Sequence, residues 1–192
     1  MADAPLYKAT LTKTLLESML ALEPSERDLV LAELDPAEVE RISSAAKTDW
    51  LPAGVQARLD RAVYTALGRD RLIDWVRNYT REASEIPVFA PIARGALTLF
   101  GGGPAGGLRI LPKTWGFVAR NCGRCLVEKR DEGATVSYVD LPEVMRTEWF
   151  VAAGKGGLLG LLEFVKASEI EVEIDEASLG SGDVHYVVRW RE

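Results

Sequence analysis

The most legible pattern lies at the end of the chain. Leu158, Leu159, Leu161, Leu162, Phe164 and Val165 recur at helical spacing and predict a helix over 154–165 that is buried on most sides. Ile170, Val172 and Ile174 then alternate with Glu171, Glu173 and Asp175, the period-two mark of a strand with one buried face. Residues 177–183 read ASLGSGD, a turn composition, and 185–190 read HYVVRW, a second strand. The chain is therefore predicted to end as a buried helix followed by a hairpin.

Upstream the pattern is helical. Leu11, Leu15, Leu16, Met19 and Leu20 follow helical spacing, and helices are predicted to about Ser44. Pro24 interrupts this stretch, and Pro36 suits a helix's first turn. Residues 1–48 are expected to be a helical preface, and 49–192 an α+β domain. Val55, Leu59, Val63 and Leu67 step every four residues into Gly68, a helix and its stop. Asp70 is expected to cap the next helix, which sets Leu72, Ile73, Val76 and Tyr79 on one side. A further helix is predicted over 88–100. The run GGGPAGG at 101–107 is expected to lie outside regular structure, and Pro112 to open another helix. Residues 125–129 and 135–139 are strand-like, with Asp131-Glu132-Gly133 as a hairpin turn. A β-like run at 149–153 leads into the last helix. Together these predict an α+β fold: several N-terminal helices packed on a small antiparallel sheet, made of two hairpins separated by a Gly-rich helix.

Charge and composition narrow the function classes. A net charge of −6 argues against nucleic acid and against an electrostatic membrane binder. No apolar run approaches the ~18–20 residues needed to span a bilayer. The first ten residues lack a basic stretch followed by an apolar one, so no signal peptide is expected. With only two cysteines, a reducing, cytoplasmic setting is expected.

Candidate chemistry is sparse. Cys122 and Cys125 form a single Cys-x-x-Cys, half of a zinc site or a redox pair at best. With no second pair, two small buried residues at a helix-to-strand turn are the expected reading. Residues 154–160, GKGGLLG, are one residue longer than a dinucleotide fingerprint. Too little chain follows for the βαβ units that such a site needs, so close backbone packing is expected instead. His185 is the only histidine, which excludes a Ser/His/Asp triad elsewhere. Neither an enzyme nor a resident cofactor or metal is expected. Trp75, Tyr79, Phe100, Trp115 and Trp149 are the candidates for lining an apolar ligand pocket.

The run LPEVMRTEWFVAAGKGGLLGLLEFVKASEIEVEI, followed by GDVHYVVRW, resembles the C-terminal part of a paralogous family of myxobacterial proteins of similar length. That family is in turn distantly similar to the 4-vinyl reductase domain, the haem nitric-oxide-binding domain and the small subunits of the Golgi transport particle. The resemblance implies helices packed on a small antiparallel sheet, used for ligand sensing or partner binding. It does not carry haem with it. Such a domain uses a proximal histidine on a helix and a Tyr-x-Ser-x-Arg constellation for the propionates. Here His185 lies in the final strand and no Tyr-x-Ser-x-Arg occurs.

Two functional expectations follow. The first is a non-catalytic signalling or scaffold module, acting through a protein partner or self-association at the sheet edge or the N-terminal helices. The alternative is a sensor domain that holds a small apolar ligand in an aromatic-lined pocket.

Overall fold

A computed structural model of the chain describes residues 4–83 and 103–191. The expected helix at 88–100, and Phe100 with it, lies outside the described residues.

The fold begins with a strand. β1 (Leu6–Lys8) pairs antiparallel with β2 (Trp50–Pro52) on one side and β3 (Ala119–Arg120) on the other. Tyr7 faces Leu51 and Ala119 in the two registers, and the Ala53 amide donates to the Pro5 carbonyl at 2.9 Å. The start of the chain is thus hydrogen-bonded to segments on the far side of residue 48. Between β1 and β2 run α1 (Ala9–Leu20), α2 (Pro24–Ala32) and α3 (Pro36–Ser44). Pro24 and Pro36 each sit in a first turn, where the missing N–H costs no helical bond. The Asp35 carboxylate caps α3 by accepting from the Ala37 amide at 2.9 Å.

α4 (Ala53–Leu67) and α5 (Arg69–Ala83) follow, with Gly68 between them at φ +89°. Asp70 falls inside the first turn of α5 and does not cap it. Its charge still favours the positive end of the helix. The stripe Val55, Leu59, Val63 meets Leu15, Met19, Val30 and Leu72 in a helical core.

The described part of the glycine run, 103–107, is helical from Pro104 onward rather than irregular. Pro104 starts a short helix, α6 (Pro104–Arg109), that contains Gly106 and Gly107. Both glycines are buried, and a Cβ on Gly107 would stand 2.9 Å from Val165. Close packing has therefore overridden the weak helix propensity of glycine here. α7 (Leu111–Val118) continues to β3.

The second sheet has strand order β4-β5-β7-β6 and is antiparallel throughout. β4 (Arg124–Arg130) and β5 (Gly133–Val139) form the first hairpin, closed by Asp131-Glu132. β6 (Ser168–Asp175) and β7 (Val184–Arg191) form the second. Val172, Val184, Tyr186 and Val188 point into the sheet's core, as the alternation requires. Between the hairpins lies α8 (Glu148–Phe164), capped by Thr147, whose hydroxyl accepts from the Phe150 amide at 3.3 Å. The β-like reading of 149–153 is therefore corrected: these residues are the first turns of α8. Apolar runs of that length do not separate strand from buried helix.

α8 is the axis of the fold. It crosses α5 at its glycines, and the Tyr186 hydroxyl of β7 donates to its Val151 carbonyl at 3.1 Å. Arg77 of α5 also donates to Glu163 of α8 at 2.8 Å. Among the described residues, no helix is long and apolar enough to cross a membrane.

Candidate functional site

The helical core and the sheet core are two separate hydrophobic clusters, and a cavity of about 330 Å3 lies where they meet. α8 forms one wall with Phe150, Gly157, Leu161 and Val165, and α7 adds Leu111 and Trp115. From the other side come Tyr7 of β1, Leu15 of α1, Val76 and Tyr79 of α5, and Tyr138 of β5. The volume is at the lower end of the range for ligand pockets, about 300–1,000 Å3.

Trp115 is the hub of the aromatic wall. Its ring centroid lies 4.8 Å from Tyr138, 5.9 Å from Tyr7 and 6.4 Å from Phe150, each in an edge-on arrangement. Edge-on pairs of this kind are individually favourable, so the wall is held open by its own ring contacts.

The lining is not wholly apolar. Gln56 and Asp60, one turn apart on α4, both border the cavity. Asp60 is 5% exposed, and no arginine, lysine or histidine among the described residues pairs with it. Burial pushes its carboxyl up to about 7, and the Gln56 side chain offsets only part of that rise. The Asp60 charge reaches two phenols of the site, Tyr7 and Tyr79. Burial first, with that charge adding to it, holds both well above the usual phenol range. Three lining residues carry buried polar atoms without a hydrogen-bond partner: Gln56 through Oε1, Tyr79 through its hydroxyl and Trp115 through Nε1. The described lining contains no histidine, lysine or arginine.

The aromatic candidates divide. Tyr79 and Trp115 line the cavity. Trp75 does not: it is buried in the helical core and stacks on Tyr79 at 6.5 Å. Trp149 packs against the same core, edge-on to Tyr64 at 6.3 Å and with the Arg61 guanidinium 5.7 Å from its ring. Both indoles therefore belong to the architecture behind the cavity.

Gln56 and Asp60 are absent from the candidates that the sequence suggests. A signal is present, since the 3.6-residue period of α4 places both beside Leu59 and Val63 on the side it buries. A charge inside an otherwise apolar stripe is the sequence mark of such a site.

Cys122 and Cys125 are both buried free thiols that do not line the cavity, although Cys125 hydrogen-bonds the lining residue Tyr138. Cys122 sits 3.1 Å from the Arg120 carbonyl and 3.5 Å from that of Leu6. Desolvation pushes the two thiols up to about 11 and about 12, so neither is a thiolate at neutral pH. Gly123 between them has φ +74°, and a Cβ there would stand 2.2 Å from the Val139 carbonyl oxygen. The spacing thus serves a tight turn into β4. Among the described residues, no group of three or more His, Cys, Asp or Glu side chains could hold a metal ion. His185 is paired with Ser137 across β7 and β5 at 2.8 Å, on the opposite sheet face from Tyr186 and Tyr138.

Several solved structures share this fold. The unliganded Fe(II) H-NOX protein from K. algicida matches with TM-score 0.61 at 12% identity, over 97% of this chain and 97% of its own. A mutant of T. Tengcongensis H-NOX matches with TM-score 0.59 at 13% identity, over 96% of this chain and 98% of its own. An oxygen-binding H-NOX domain related to soluble guanylate cyclases, solved as its oxygen complex, matches with TM-score 0.60 at 15% identity, over 96% of this chain and 95% of its own. No family model matches the chain, and no curated protein sequence does. At these identities the likeness establishes the α+β fold along the chain. The chemistry of the site rests on the residues that line it.

Proposed function

We propose that this domain is a sensor: a small, mostly apolar molecule occupies the cavity between the helical core and the sheet core. The observation that carries this reading is the position of the cavity. Its walls come from α1, α4, α5, α7 and α8 and from both sheets, so an occupant would touch every layer of the fold at once. Such a ligand would change how the layers pack, which is what a sensor must do. A module acting through protein contacts alone, the other expectation, has no need of such a cavity. A protein partner would then read the ligand state from the outside.

The H-NOX neighbours raise the question of haem, and the described lining does not fit it. An iron porphyrin needs an axial ligand and partners for two propionates. The only histidine of the chain is bonded to Ser137 on the far face of the sheet. The phenols of Tyr7, Tyr79 and Tyr138 are held protonated by burial, which disfavours a phenolate ligand. No cation among the described lining residues faces the cavity, and Asp60 would repel a propionate. The fold is kept here without the haem chemistry.

Gly157 gives the test. It borders the cavity, and the nearest atom to a Cβ there is the Thr80 hydroxyl at 3.9 Å. Gly157→Leu therefore fills the cavity from an otherwise tolerant helical position. A thermal-shift screen of small aromatic molecules on both proteins should give hits that raise the Tm of the parent and not of Gly157→Leu. Hits shared equally by the two proteins would contradict the proposal.

A further inference from the structure

The polar corner of the cavity specifies the class of ligand, on the premise that the cavity is a ligand site. Asp60 is buried and borders the cavity, with no counter-cation among the described residues. The acceptor Gln56 Oε1 and the hydroxyl of Tyr79 lie buried and unpartnered on the two helices that flank it, α4 and α5. The corner therefore holds one acid without a base, bonded to the Gln56 side chain, beside a Gln56 carbonyl oxygen that lacks a donor. A buried carboxylate is tolerated when an ion pair or hydrogen bonds compensate it. The missing elements are a positive charge for Asp60 and an N–H donor for Gln56 Oε1.

A metal ion does not supply them, since among the described residues no group of three or more His, Cys, Asp or Glu could hold one. An anionic head group would face Asp60 with no cation on the described lining to offset it. A protonated amine fits on both counts. It carries one positive charge and up to three N–H donors, enough for Asp60, Gln56 and a phenol oxygen together. The rest of the cavity, along Trp115, Phe150, Leu161 and Val165, is hydrocarbon and aromatic apart from the Trp115 indole N–H and would hold an apolar body.

We infer that the sensed molecule is a small apolar amine, with its ammonium group against Asp60 and its hydrocarbon or ring along Trp115 and Phe150. The test is a calorimetric titration of the full chain with three matched probes: 2-phenylethylamine, 2-phenylethanol and phenylacetate. The amine should bind at least tenfold more tightly than the alcohol, and phenylacetate should give no saturable binding. Asp60→Asn, nearly isosteric, should reduce the amine to the level of the alcohol. An alcohol or carboxylate that binds as tightly as the amine, and is lost in Gly157→Leu, would overturn the amine assignment and leave the cavity reading standing. An amine affinity unchanged in Asp60→Asn would also overturn the assignment. Absence of binding by all three probes would overturn both.

Discussion

Gly160 lies so close to Arg77 that a Cβ on the glycine would stand 2.3 Å from the Arg77 carbonyl oxygen. One turn earlier, a Cβ on Gly156 would stand 2.5 Å from the Ile73 carbonyl oxygen. The two glycines form the groove in α8 that receives the backbone of α5. Helix propensity favours alanine over glycine by about 1 kcal/mol, but forcing backbones apart costs about 1–3 kcal/mol or more. The steric cost wins at these positions, because the obstructing atom is main chain and cannot rotate away. Gly160→Ala is predicted to lose about 2 kcal/mol in urea unfolding. Unchanged stability would mean that α5 and α8 do not cross this closely.

Gly157, on the same helix, makes the opposite prediction. With nothing nearer than 3.9 Å, its substitution meets only the propensity difference. Gly157→Ala should gain about 1 kcal/mol in the same experiment. The contrast between neighbours on one helix separates the steric argument from a general intolerance of change in α8.

The buried Asp60 predicts an unusual pH dependence. Its carboxyl titrates at about 7 in the folded chain, above its ordinary value of 3.8. The folded state therefore holds a proton that the unfolded state has released between these values. Stability is highest below about pH 4 as far as this group is concerned, and it falls as pH rises towards 7. Three pH units correspond to about 4 kcal/mol at most. Between pH 5 and pH 8 the urea midpoint of the parent should fall relative to that of Asp60→Asn. A parent and variant that move in parallel would show that Asp60 is ionised and compensated in the fold.

The buried thiols should be inert. With their thiols pushed up by desolvation, Cys122 and Cys125 should resist iodoacetamide at about pH 7.5 in the folded protein and react in urea. Intact-mass measurements over time read this directly. Rapid labelling of the native chain would contradict the packing of the turn before β4.

Much of the framework can be read along the chain, because it depends on local patterns. The alternation in 170–175 and a hairpin turn at Asp131-Glu132-Gly133 are visible without any tertiary information; both are present in the sheet, with Gly133 already paired to Arg130. The misreadings have a common cause. Gly106 and Gly107 look like loop residues, and 149–153 looks like a strand, until the partners against which they pack are known. The same holds more strongly for the cavity. Its walls run from Tyr7 to Val165, and no local window contains more than a fragment of them. Aromatic content singles out Trp75 and Trp149, which fill the helical core, alongside Tyr79 and Trp115, which face the cavity. Asp60 carries the more specific signal, a charge on the apolar side of an amphipathic helix.

The five tryptophans offer the most direct test of the cavity as a ligand site, since each contributes one indole N–H signal in a 15N–1H spectrum. Trp115 borders the cavity, while Trp50 and Trp190 lie elsewhere. Titration with indole should shift the Trp115 signal saturably at one equivalent, leave those of Trp50 and Trp190 in place, and do neither in Gly157→Leu. A Trp115 signal that stays fixed, or that shifts alike in both proteins, would contradict the account.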